Sequence, residues 1–297
     1  MLMTETTKMN QFDFNVRLTA LGRTAANLEA ITTAADRALW QSAAQVLTER
    51  VYRHEGESVR VRIDWQPLAE AEEDAATLTM QVFDGSGRLD VHHALSFAEL
   101  FLHDAFLLLN IAVPGSFGGV ITIDDDEHVH ELALEAYLFE FAWVAASGNT
   151  WPAIEPLPLP DVIAWYDSQQ LGTAQVAPTN TAAALFHLLH LARRSDSEPM
   201  SILRAAQALE ALFDKPSSFL RSRIESLLGP FLELADRLDE LFTLRDAIVT
   251  ATAPITHPMH DDALDPRVDD ESLDWTEPAD FAASVLIAAL QALVRKG

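Results

Sequence analysis

Polar and apolar positions alternate along three stretches of the first third of the chain: Phe12, Phe14, Val16 and Leu18; Val59, Val61, Ile63 and Trp65; and Leu78, Met80 and Val82. Successive side chains of a strand point to opposite faces, so a period of two predicts a half-buried strand at each place. Asp84-Gly85-Ser86-Gly87 closes the third stretch as a turn. Ser96, with Glu99 three positions on, has the signature of a capping box. It predicts the start of an apolar helix that runs to Ala112 and stops at Pro114-Gly115. A further strand is expected over Val120 to Ile123. From Glu131 to Ala146 two periods compete. Leu132, Leu134, Ala136 and Leu138 alternate, while Leu134, Leu138, Phe141 and Ala145 fit a helix, and the strand reading is preferred.

Four prolines between Trp151 and Pro160 rule out a regular helix there and predict a connecting segment. A short helix is expected over Asp161 to Leu171. Beyond Thr179 the pattern becomes helical throughout. Thr179 or Thr181 caps a helix to Ala192, and a second helix covers Met200 to Phe213. A third covers Ser218 to Leu228, ending at Gly229-Pro230, and a long one spans Leu232 to Ala251. The last helix is expected after Thr276-Glu277-Pro278. It is apolar on most sides from Phe281 to Val294, as suits the middle of a bundle, with Arg295 and Lys296 at its negative end. The fold class is therefore α+β. Residues 1–11 are expected to be a disordered terminus, 12–160 a mixed α+β domain, 161–178 a connecting helix and linker, and 179–297 an all-α bundle.

Composition narrows the function classes. With 297 residues, 49% hydrophobic and 22% charged, the chain can bury a substantial core. The absence of cysteine removes disulfides, thiolate metal sites and cysteine nucleophiles together, and suits a reducing compartment. The polar start, Met1 to Asn10, lacks a signal peptide's apolar region, so a cytoplasmic protein without a membrane anchor is expected. A net charge of −25 repels a phosphate backbone at long range. The charge is uneven, however. Residues 1–177 carry 9 Lys+Arg against 26 Asp+Glu, and residues 178–297 carry 11 against 19, so a local basic surface is expected only in the second part.

Two segments of that second part carry a family likeness: Ile202 to Phe213, with Ala208-Leu209-Glu210 and Leu212, and Leu241-Phe242-Thr243-Leu244-Arg245-Asp246-Ala247-Ile248-Val249-Thr250. They resemble the two motif helices of the Apea-like branch of the HEPN family. The resemblance covers about 40% of the chain and implies a HEPN-like helical bundle that works as a homodimer. Its expected setting is bacterial stress or phage defence, with RNA or a nucleotide as ligand. In that family an arginine, four to six intervening residues and a histidine cleave RNA. Here the arginine is Arg245 and the histidine position holds Thr250; the next histidines are His257 and His260. On a continuous helix the twelve residues from Arg245 to His257 rise about 18 Å, too far for a catalytic pair, unless Pro254 ends the helix and the chain folds back. Threonine cannot exchange a proton near neutral pH as histidine does. A non-catalytic or weakly active binding and dimerisation module is therefore preferred. The alternatives are a metal-independent endoribonuclease using Arg245 and His257, or a purely structural interaction protein.

The same residues can be read without the family. Leu234, Leu238, Leu241, Arg245 and Ile248 share one stripe of the long helix, and Leu203, Ala206, Glu210 and Phe213 share one of the earlier helix. A buried unpaired ion costs several kcal/mol, so Glu210 and Arg245 are expected to face each other. Arg193, Arg194, Arg204, Arg221 and Arg223, with Lys215, form the densest basic group and the candidate anion surface. His187 with His190 and His257 with His260 have spacings that could meet around a metal, but local hydrogen bonding is the preferred reading and no metal or other cofactor is expected. Asp124 to Glu127 reads as a solvated turn. Gly115-Ser116-Phe117-Gly118-Gly119 looks like a phosphate loop but precedes a strand rather than a helix, so it is discounted. The acidic stretch Asp261 to Glu277 reads as an exposed connection. The N-terminal domain is expected to recognise a protein partner.

Overall fold

The computed structural model describes residues 10–19, 29–54, 56–70, 76–125, 128–134, 136, 139–140, 142–144, 151–169, 180–192, 198–214, 217–252 and 267–297. The chain divides into two compact units, one of residues 1–134 with 156–177, the other of 135–155 with 178–297.

The first unit is built on a six-stranded antiparallel sheet in the order β2-β3-β4-β1-β5-β6. Its strands are β1 (Asn10–Thr19), β2 (Glu49–His54), β3 (Glu57–Ile63), β4 (Ala76–Asp84), β5 (Gly119–Asp124) and β6 (Val129–Leu134). The alternation read from sequence sets the register. Phe14 pairs with Met80, Val16 with Leu78 and with Ile123, and Val61 with Val82, all buried on one face. Asn10 and Gln11, expected in a disordered terminus, are paired in β1. Against the sheet lie α2 (Gln66–Glu70) and α3 (Val91–Ala112), while α1 (Glu29–Val46) packs on α2 and on α4 (Leu159–Ser168), which also meets α3. Trp40 and Trp65 stack at 5.9 Å, and Phe117 meets both edge-on.

The N-cap of α3 lies six residues before the expected one. Asp90 accepts the His93 N–H at 2.9 Å as N-cap, so Ser96 lies inside the helix and donates to the His92 carbonyl. The turn before it is held by buried Asp84, which accepts N–H bonds from Ser86, Arg88 and Leu89. After α3 the glycine-rich loop is a structural corner. Asn110, fully buried, donates to the Phe106 and Phe117 carbonyls and accepts the Gly115 N–H. Gly115 stands at φ +80°, where a Cβ would be strained.

The competing periods after Glu131 are both present, one after the other: β6 ends at Leu134, and 139–140 and 142–144 are helical. The expected domain order is corrected here. Residues 135–155 join the helical unit, where Trp151 stacks on Phe231 at 4.5 Å and the Glu155 N–H donates to Gln291. Residues 156–177 return to the sheet unit, where the Leu157 N–H donates to the Ala112 carbonyl.

The second unit contains α5 (Asn180–Ala192), α6 (Glu198–Phe213), α7 (Ser217–Leu228), α8 (Leu234–Val249) and α9 (Arg267–Lys296). The first four lie where they were expected beyond Thr179, within two residues at each end, whereas α9, expected after Pro278, starts at Arg267 with Pro278 inside it. Residues 267 to 277 of the acidic stretch are helical backbone rather than an irregular connection, and Pro278 is accommodated within the helix at the loss of one backbone bond. Residues Ala282 to Gln291 are buried, as a central helix requires. Val91–Ala112 and Glu277–Lys296 are long and apolar enough to cross a membrane, but 72% and 78% of their most apolar windows are buried inside the protein.

Candidate functional site

The motif helices α6 and α8 pack together in the second unit. The face of α6 that is buried carries Ile202, Ala205, Ala206 and Leu209, one position round from the stripe read from sequence. Glu210 therefore lies at the rim of the core. On α8, Leu234, Leu238 and Leu241 are buried, while Arg245 and Ile248, in the last two turns, are half-buried.

At this rim Arg245 Nη1 donates to Glu210 Oε1 at 2.9 Å. The two side chains retain 20% and 31% of their exposure, so this is a partly solvated pair rather than a core ion pair. Arg245 has a second acid partner. Its Nε and Nη2 both donate to Asp246 Oδ1, at 2.9 and 2.7 Å, and its guanidinium lies 4.6 Å from the centre of the Phe242 ring. Partial burial opposes the charge, but Asp246 and Glu210 outweigh it and push the arginine's pKa up. The adjacent Asp246 was not among the partners expected for Arg245 from the sequence.

Thr250 ends α8. Its Oγ1 donates to the Asp246 carbonyl at 2.7 Å, and the Thr252 N–H reaches back to the Ala247 carbonyl across Ala251, which has φ +54°. The helix thus closes before Pro254. His257 and His260 lie outside the described residues.

The candidate anion surface resolves into separate local arrangements. Arg193 and Arg194 lie outside the described residues. Arg221 donates to Glu225 on its own helix at 2.9 Å, and Arg223 is exposed. Arg204 is different: its Nη1 lies 3.3 Å from His187 Nδ1. Burial first, then the nearby Arg204 and His190, hold the His187 pKa below the ordinary histidine range, so the imidazole is neutral and accepts this bond. A guanidinium at Nδ1 repels a cation, which argues against the metal reading of His187 and His190. Among the described residues no group of three or more His, Asp or Glu is placed to hold a metal ion.

The sequence reading missed the most buried ionic cluster among the described residues, which lies in the sheet unit. Asp104 on α3 accepts from Tyr166 Oη at 2.7 Å and Tyr52 Oη at 2.9 Å. Arg50 of β2 places Nε 3.2 Å from Asp104 and Nη2 2.8 Å from Asp167 of α4, with its guanidinium 5.2 Å from the centre of the Tyr166 ring. Burial pushes the Asp104 carboxyl up, and Arg50 and the two phenols oppose it. Each polar group has a partner, which identifies a structural clasp joining β2, α3 and α4. An aspartate amid the apolar run Leu102 to Leu109 was the sequence signal. No protein-family model matches this chain, and neither a curated protein nor a solved structure is similar to it.

Proposed function

We propose that the chain is a non-catalytic binding protein of bacterial stress or phage defence, cytoplasmic, with a HEPN-like helical unit that pairs with a second copy. Its sheet unit recognises a protein partner. The observation that carries this reading is the state of Arg245. An arginine that stabilises a cleaving phosphate must offer its donors to the ligand. Here Nη1, Nε and Nη2 are all directed to Glu210 and Asp246, and Thr250 bonds the backbone of its own helix. The arginine then has a structural duty at the end of the α6 and α8 pair. Exposed Phe219, Leu232 and Val249 on the helical unit are apolar surface of the kind that a second copy covers.

The test is incubation of the purified protein with labelled single-stranded RNA without metal, alongside Arg245→Ala and His257→Ala. Intact RNA is expected with all three, and Arg245→Ala is expected to lower stability by about 1–2 kcal/mol in urea denaturation. Cleavage by the wild type that disappears in both variants, at unchanged stability, establishes the endoribonuclease instead.

A further inference from the structure

The sheet of the first unit buries one face, and the positions that alternate with the buried ones are exposed or half-buried on every strand. The charges on this open face are sorted. On β2 and β3 it carries Arg53, Arg60 and Arg62 with one carboxylate, Glu49. On β1, β5 and β6 it carries Asp13, Asp124 and Glu131 with one arginine, Arg17. Three cations gathered on two strands run against the composition of residues 1–177, which hold 9 Lys+Arg and 26 Asp+Glu.

The register places these side chains next to one another. Arg60 stands between Val51 of β2 and Phe83 of β4, and Arg62 between Glu49 and Gln81. Both guanidiniums lie over the Phe83 ring, 5.8 and 5.3 Å from its centre, which orients them on the surface. Glu49 accepts a hydrogen bond from Arg62, whereas its distance from Arg60 is 3.8 Å. One carboxylate among three exposed guanidiniums leaves positive charge for a ligand. Arg60 and Arg62 are two residues apart on one strand, about 7 Å, which is also the spacing of alternate side chains on an extended peptide. Arg53 is the diagonal neighbour of Arg60, about 7–8 Å away. With two guanidiniums over it, the Phe83 ring offers no bare face to a nucleobase, and the carboxylates across the sheet repel a phosphate backbone continuing over them. Asp13, beside the patch, already accepts from Gln11 and Gln81, so the acidic half of a second copy is the weaker offer.

We propose that the open face around Arg53, Arg60 and Arg62 docks an acidic segment of a partner protein, in extended form, with carboxylates at alternate positions on the arginines. The proposal rests on the protein-recognition role given above to the sheet unit, and it names the chemistry of the partner and the surface that reads it.

Fluorescence anisotropy of the intact protein at low salt tests it, with a labelled peptide that alternates three glutamates with valines. Glutamine in place of glutamate is expected to weaken binding about tenfold or more. Arg60→Ala and Arg62→Ala should each weaken the glutamate peptide about fivefold. Arg60→Lys, which keeps the charge and loses the planar fork, should fall between and guards against a folding defect. Glu49→Gln removes the competing carboxylate and should tighten binding about twofold. Arg17→Ala takes the same charge from the other half of the face and should leave binding unchanged, which separates the patch from overall charge. No binding of the glutamate peptide at millimolar concentration overturns the site. So does equal binding of the glutamine peptide, or an Arg17→Ala loss as large as that of Arg60→Ala. A single-stranded RNA hexamer bound more tightly than the peptide through the same arginines makes the face a nucleic-acid surface instead, and self-association that Arg60→Ala abolishes gives it to a second copy. Capture of lysate proteins by the sheet unit of the intact chain, undiminished when Arg60 and Arg62 are both alanine, leaves protein recognition standing while this site falls, so the two failures are distinguishable.

Discussion

Asp280 provides the sharpest physical test of the helical unit. It lies on the central helix α9, 4% exposed, and its Oδ2 has no hydrogen-bond partner among the described residues. Burial pushes its carboxyl from the ordinary 3.8 up to about 7. The folded state therefore keeps a proton that the unfolded chain releases. Below pH 4 both states hold it and there is no cost. As pH rises towards 7 the unfolded state is progressively favoured, by up to about 1.4 kcal/mol per pH unit, and above 7 the penalty levels off. Between the two values this amounts to about 4 kcal/mol, an upper figure because local relaxation relieves part of it.

Asp280→Asn keeps the shape and stays neutral at every pH. Its amide leaves the same position unpaired as the neutral acid does, so the packing difference cancels when two pH values are compared. The advantage of the variant is expected to grow from about 2 kcal/mol at pH 5.5 to about 4 kcal/mol at pH 8. Hydrogen exchange over residues 277–294, corrected for intrinsic rates, reads this as rising protection of α9 in the variant relative to the wild type. Parallel protection in the two proteins across that pH range refutes the reasoning, because Asp280 would then ionise as freely in the fold as outside it.

Two further predictions concern the sheet unit. Tyr166→Phe removes one of the two phenols on Asp104 and should cost about 1 kcal/mol, whereas Asp104→Ala strands both phenols and part of the Arg50 charge and should cost about 3–5 kcal/mol. Urea denaturation measures both, and equal effects would show that the clasp is not a network. Asn110→Ala removes the buried bonds to the Gly115 N–H and the Phe117 carbonyl, for a loss of about 2–4 kcal/mol by the same measurement. Undiminished stability would mean that the corner holds itself.

Elements whose inward positions are apolar were legible in the sequence. The β1, β3, β4 and β5 strands and the five helices of the second unit follow directly from period and punctuation. No element was read between Leu18 and Val59, and α1 and β2 lie there. The β2 strand escaped for a physical reason: its core-facing positions include Arg50 and Tyr52, which serve the Asp104 clasp, while Val51 faces the open side at 61% exposure. A hydrophobic alternation cannot be seen where the inward residues are polar. The exchange of 135–155 and 156–177 between units was hidden because it depends on single contacts such as Trp151 on Phe231, and the proline run around them marks only that the chain turns.

The rule that an ion on an apolar stripe needs a partner led from the sequence to Glu210 and Arg245, yet it applies with more force to Asp104. The Arg245 pair retains 20% and 31% exposure, so water screens it and its loss is tolerable. At the clasp, the Asp104 and Arg50 side chains retain 7% and 12%, where an unpaired charge is far more expensive. Asp104 interrupts the apolar residues Leu102, Ala105, Phe106 and Leu108 of α3, and that interruption alone demanded a cation and further donors elsewhere in the chain. Arg50, Tyr52 and Tyr166 supply them, from two elements, β2 and α4. β2 is also held by its pairing with β3, and α4 by buried Leu159, Val162 and Trp165, so the clasp adds a polar constraint to docking that apolar contacts and backbone pairing already support: Arg50, Tyr52 and Tyr166 leave Asp104 paired only in this arrangement.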